Sequence, residues 1–141
     1  MKKLILISVL LTTMIAAGCG SLSGSAKNDL NGTAWTLISF NGESLITDTA
    51  MTASFEDEQV NGSASCNHYF GSYTNKGDQI QIEGLGWTEM ACLNPDGVMD
   101  QEQQLMRMFS QAATISIQGQ RLQITTITGD LMIFQQADTR E

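Results

Sequence analysis

The chain has 141 residues, 42% of them hydrophobic, with three cysteines and a formal net charge of −8. That length suits one domain with one core, and the apolar content excludes a wholly disordered chain. The acidity excludes nucleic acid as a partner, because nucleic-acid binding needs basic patches.

At the start, Lys2 and Lys3 precede an apolar run from Leu4 to Ile15, which small residues Ala16, Ala17 and Gly18 follow. This is the layout of a secretory signal peptide over residues 1–18. A permanent span needs about 20 apolar residues to cross a bilayer, and this run is shorter. Ala17-Gly18-Cys19 resembles a bacterial lipobox, with Ala16 where leucine is more usual. Cys19 is therefore the expected lipidation site. The alternative is an ordinary secreted protein cut near Ala17. Two acyl chains suffice for stable anchoring, so an acylated Cys19 would hold the protein on a membrane without a helix. Gly20 is not the aspartate associated with inner-membrane retention, which favours the outer membrane facing the periplasm.

Residues 19–29 are small and polar after Cys19 and read as an acylated N-terminus and flexible tether. Residues 30–138 are expected to form the domain. Loss of Lys2 and Lys3 with the leader leaves five Lys and Arg against fifteen Asp and Glu, a net charge of −10. Solubility accounts for such a surface. A basic partner is the sharper reading, and Glu56-Asp57-Glu58 is the dense acidic cluster that would serve it.

Residues 34–40 are rich in aromatic and β-branched residues and run into Asn41-Gly42, which predicts a strand and a turn. Residues 51–55 and 59–65 flank the acidic cluster as a hairpin, with Met51, Ala53 and Phe55 on one side. The stretch NGSASCNHYFGSY, residues 61–73, places Cys66 two positions before the only histidine, His68. In a strand those positions share a face, so a thiol–imidazole pair is geometrically open. No third residue completes a catalytic constellation, however, and a zinc site needs more closely spaced ligands than Cys66, His68 and Cys92 provide. With Cys19 spent on lipid, Cys66 and Cys92 are the pair that an oxidising compartment would join as a disulfide. On the chain-entropy model that bridge contributes about 3.5 kcal/mol. No metal, cofactor or catalytic residue is expected.

Tyr69, Phe70 and Tyr73 lead to a turn at residues 74–78, and residues 79–83 alternate with Ile80 and Ile82 on one face, giving a second hairpin. Residues 84–97 lack periodicity. From Val98 to Ala112 the residues Val98, Leu105, Phe109 and Ala112 form a helical stripe, with Asn94 or Asp96 as candidate caps. Residues 114–118, 121–127 and 131–134 read as a three-stranded meander. The expected class is mainly β: seven or so strands in a small antiparallel, barrel-like curled sheet, with one helix packed on it after the fourth or fifth strand.

Taken in order, Leu30 to Leu37, Phe55, Val60 to Asn67 with Tyr69, Gly71 and Tyr73, then Thr88 to Cys92, Glu102 and Leu105 resemble the META domain family. That family includes the HslJ-type heat-shock lipoproteins of bacterial envelopes. The resemblance covers roughly residues 30–135. It implies a compact β-rich fold with one helix, like small cracked barrels such as secretin pilot proteins, and it supports the Cys66–Cys92 bridge. It links the chain to heat-shock response and novobiocin tolerance, and it supplies no catalytic residues.

Single residues carry plain readings. Trp35 and Trp87 are expected in the core, although they could line a ligand groove. Met90, Met99, Met106 and Met108 are expected to fill core space, although they could form an adaptable apolar surface. Asn67 is expected to bond backbone in a bend, and Glu102 to cap or pair. The leading expectation is a monomeric, non-enzymatic, lipid-anchored envelope domain that binds a protein or a small apolar ligand. The alternatives are a periplasmic inhibitor of a basic hydrolase such as lysozyme, and a Cys66–His68 thiol enzyme.

Overall fold

The computed structural model describes residues 28–138. Five strands come first: β1 (Thr33–Phe40), β2 (Thr52–Glu56), β3 (Gln59–Ser63), β4 (His68–Lys76) and β5 (Gln79–Trp87). The helix α1 (Val98–Ser110) follows, then β6 (Ala112–Gln118), β7 (Arg121–Thr126) and β8 (Leu131–Gln136). Sequential neighbours pair antiparallel, and β8 returns to β1, so the eight strands close a barrel. The sequence anticipated the mainly β class and the single helix, which sits after the fifth strand.

Alternation decides which side chains fill the barrel. Ala53 and Phe55, Tyr69 and Tyr73, Ile80 and Ile82, Leu122 and Ile124, and Met132 and Phe134 are all buried at two-residue steps or multiples of them. An eight-stranded barrel is just wide enough for side chains to fill it. The aromatic contacts are edge-on, Phe55 against Tyr73 at 4.9 Å and Tyr69 against Phe109 at 5.4 Å. The second of these ties α1 to β4. Burial pushes the Tyr69 phenol far above its ordinary range, and its hydroxyl donates to the Thr52 carbonyl at 2.7 Å.

That carbonyl explains a glycine. A Cβ on Gly62 would lie 2.0 Å from the Thr52 oxygen. Only glycine lets β2 turn this carbonyl inward across β3 toward Tyr69.

The closure between β5 and β6 differs from every other seam. Its register holds a single pair, Gln79 with Thr114, reinforced by Ile115 N–H donating to Asp78 O at 2.7 Å. Beyond that point β5 leaves β6, and α1 runs beside it. β5 also continues to Trp87, past the point where the sequence lost its period. The reason is a bulge: the register with β4 shifts between Phe70 and Ser72, with Gly84 at φ 60°. The extra residue reverses the in-out alternation that a sequence reading follows.

The helix start is also corrected. Its N-cap is Gly97 at φ 81° without a side-chain cap bond, rather than Asn94 or Asp96. Gln101, buried on α1, supplies a different tether: its side chain accepts from Ile46 N–H at 2.7 Å and donates to Thr49 Oγ1 at 2.9 Å and Ser65 Oγ at 3.1 Å. The helix thereby holds the β1–β2 connection. At the β7–β8 turn, Thr128 and Asn41 donate to the Asp130 carboxylate and hold it below the usual range.

Replacing Gly62 with alanine is expected to lower stability by about 3 kcal/mol, because the clash is with backbone and core overpacking of this kind is seldom relieved. Urea denaturation of the oxidised protein measures this. A change within experimental error would show that the β2–β3 crossing is looser than described.

Candidate functional site

Where β5 and β6 part, β5 and α1 form the two walls of an open groove of about 780 Å³. Ile82, Leu85 and Trp87 come from β5, and Met90 comes from the segment that follows. From α1 come Met99, Gln103, Met106 and Ser110, at i, i+4, i+7 and i+11, which share one flank of a helix. This flank is distinct from the stripe that enters the core through Val98, Leu105 and Phe109. Trp87 is 49% exposed and Met90 52%. A tryptophan and a methionine left this open toward one concavity are more informative than scattered surface residues.

The floor at one end is polar and tightly satisfied. Glu102, 4% exposed, accepts the N–H groups of Cys66 at 2.9 Å and Asn67 at 2.7 Å on one oxygen, and Asn67 Nδ2 at 2.6 Å on the other. Asn67 in turn accepts from Thr88 Oγ1 at 2.7 Å and Met90 N–H at 2.8 Å, and donates to Met90 O at 3.2 Å. These bonds anchor the 88–90 wall to the helix. A buried carboxyl group is held here by converging N–H donors. The Cys66–Cys92 disulfide, with an S–S distance of 2.00 Å, closes the same corner.

This geometry resolves the Cys66–His68 motif. The Cys66 sulfur is bonded to Cys92, so Cys66 and His68 do not form a thiol–imidazole pair. His68 is exposed, and its backbone pairs with Ser63 and with Thr88. Asn67 bonds backbone, as expected of a bend, and Glu102 pairs, its partner being Asn67. The two tryptophans separate: Trp35 is buried with Nε1 donating to Thr33 Oγ1 at 2.7 Å, while Trp87 lines the groove. The methionines separate too. Met106 and Met108 are buried, Met99 and Met90 open onto the groove, and Met106 also contributes to its wall.

Charge is unevenly placed around the groove. Glu89 lies on the Trp87 side and Arg107 near the helix C-terminus, both exposed. Among the described residues no three His, Cys, Asp or Glu side chains gather as a metal would need. The acidic cluster lies apart from the groove. Asp57 and Glu58 form the β2–β3 turn at φ 48° and 64°, with Asp57 N–H donating to Asn31 Oδ1 at 2.9 Å. Burial first, then the negative charges of Asp29, Asp57 and Glu58, raise the Tyr73 phenol above its usual value.

Cys19, the leader 1–18 and residues 19–27 of the expected tether lie outside the described residues. Asn28 already belongs to the folded body, since its side chain accepts Ile117 N–H at 2.9 Å. Among the described residues no helix is long and apolar enough to cross a membrane.

A family model described as META domain matches residues 28–139. No curated protein matches the chain. An NMR structure of a protein from Burkholderia xenovorans superposes with a TM-score of 0.67 at 23% identity, covering 79% of this chain and 85% of its own. A second NMR structure gives 0.63 at 24% identity, covering 79% and 95%. The crystal structure of a duf4847 family protein from Bacteroides vulgatus gives 0.58 at 10% identity, covering 79% and 96%. At these identities the likeness is one of fold.

Glu102→Gln is expected to cost about 2 kcal/mol, because an amide in place of one oxygen faces either the Asn67 amide or a backbone N–H, leaving a buried donor unpaired. Chemical denaturation reports the loss, and Trp87 fluorescence reports release of the 88–90 wall. Unchanged values for both would remove Glu102 from its place as the anchor of this wall.

Proposed function

The chain belongs to the META domain family, and from that membership together with the groove we propose that it is a non-enzymatic binding domain of the cell envelope. A lipid on Cys19 holds it to a membrane, with the outer membrane facing the periplasm as the site, and the domain works as a monomer. The groove between β5 and α1 takes the apolar part of a protein or small-molecule ligand. Capture of such ligands supports a role in heat or antibiotic stress, the setting the family resemblance suggests.

The observation that carries this reading is the exposure of Trp87 and Met90 on a groove whose walls are mostly apolar and whose floor is polar at one end. Ligand sites are typically concave, mostly apolar and about 300–1,000 Å³, with a few fixed polar groups. Methionines at 90, 99 and 106 suit a surface that repacks around different occupants.

Titration with laurate is expected to change Trp87 fluorescence saturably, with the response lost in Trp87→Phe. Met99→Asp on the groove wall should weaken binding about tenfold, the equivalent of ~1.4 kcal/mol. A laurate response that survives Trp87→Phe, or no saturable response at all, would sink the groove as a binding site.

A second reading, inhibition of a basic hydrolase, is favoured by the exposed acidic turn of Glu56, Asp57 and Glu58 between β2 and β3. Inhibition of lysozyme that weakens with added salt and disappears in Asp57→Asn/Glu58→Gln is the expected result for that role. Absence of inhibition at low salt would dismiss it.

A further inference from the structure

The β5 edge that forms one wall of the groove is open. Its register with β6 holds only at Gln79, and among the described residues no backbone hydrogen bond joins Ile82, Leu85 or Trp87 to α1 or β6. The direction of these backbone groups follows from the bonds at the two ends. Asp78 O faces β6, where it accepts Ile115 N–H, and alternation carries Ile80 and Ile82 to the same side. At the far end Thr88 N–H donates to His68 O on β4, so Trp87 and Leu85 face away from β4. The bulge at Gly84 reconciles the two phases. The amide and carbonyl groups of Ile82, Leu85 and Trp87 therefore line the same groove as their side chains.

Such a row of backbone groups is a template for another strand. An acyl chain can cover the apolar walls but has nothing to offer these groups. An extended peptide satisfies both.

Charge sets the direction. α1 runs antiparallel to β5: Glu102, in its first turns, is tied through Asn67 to Thr88 and Met90, while Ser110 at its end shares a second depression with Gln79–Ile82. Arg107 thus lies toward the Ile82 end, and Glu89 at the Trp87 end. A strand added antiparallel to β5 enters beside Glu89 and finishes beside Arg107. Its carboxyl end would meet the guanidinium and its amino-terminal side the carboxylate. The parallel orientation reverses both matches.

From this geometry we propose that the β5–α1 groove binds the free C-terminus of another polypeptide, five or six residues long, as an added antiparallel strand whose terminal carboxylate pairs with Arg107. The stretch from Ile82 to Trp87 spans about 17 Å at the usual strand rise, which sets that length. The proposal rests on the groove being the binding site and names its occupant.

The test uses the oxidised protein and a random hexapeptide library with free C-terminal carboxylates. Selected peptides are expected to alternate apolar residues, to lose about tenfold or more in affinity when amidated at the C-terminus, and to lose as much against Arg107→Glu. Arg107→Lys should recover part of the loss, and thermal melting checks that both variants fold. In the complex, hydrogen exchange at the Ile82, Leu85 and Trp87 amides should slow. Binding that ignores amidation, or that leaves those amides unprotected, overturns the proposal. If laurate reports from Trp87 but no hexapeptide binds, the peptide inference fails while the groove stands. If neither binds, both fall.

Discussion

The structure depends on a barrel that is nearly, but not fully, zipped. Seven seams carry registers of several residues, and the eighth, between β5 and β6, carries one pair at Gln79 and Thr114. An antiparallel sheet protects its edges by closing, and one that closes at a single point leaves a wedge that something else must cover. Here α1 does so. Leu105 and Phe109 enter the barrel core from one stripe of the helix, and Phe109 meets Tyr69 edge to face. A helix is broader than a strand and cannot hydrogen-bond laterally to one. It therefore seals the core without satisfying the β5 edge, and the groove is the space left between these two requirements.

The opposite corner of the wedge is held by polar chemistry. The Cys66–Cys92 disulfide and the Glu102–Asn67 pair both fasten the segment after β5 to the bend before β4, one covalently and one through a buried hydrogen-bond network. They do different things. A disulfide mainly restricts the unfolded chain, whereas directed bonds from Asn67 to Thr88 and Met90 fix where the wall stands in the folded one. Because Glu102 lies on α1, the helix that covers the wedge also sets its width.

The barrel was legible where alternation runs undisturbed. Ala53 and Phe55, Ile80 and Ile82, and Leu122 and Ile124 show their inward sides in a period of two. Reading failed at Gly84–Trp87, where a bulge inverts the phase and places Leu85 and Trp87 on the wall of the groove. It failed again at the helix start, because Gly97 caps through its left-handed backbone, which leaves no side-chain signature. Asn67 and Glu102 were each visible as polar residues with plain roles, but their partnership spans 35 positions. A single sequence does not display such a pairing. The second stripe of α1, Met99 to Ser110, was hidden for another reason. It mixes methionine with glutamine and serine, so it lacks the apolar regularity that marks a core-facing helix side.

A division of labour follows from these failures. The residues that alternate build a barrel whose outline recurs in solved structures sharing only 10–24% identity with this chain. At the end of β5 the residues that break alternation, namely the bulge at Gly84, the Gly97 cap and the mixed helix flank, shape the place where the barrel does not close. A barrel core constrains side chains mainly by volume and tolerates exchange among apolar residues. A groove that exposes backbone, methionines and one guanidinium is constrained by chemistry. The features least predictable from periodicity are therefore the ones that would distinguish what this barrel binds from what another barrel of the same outline binds.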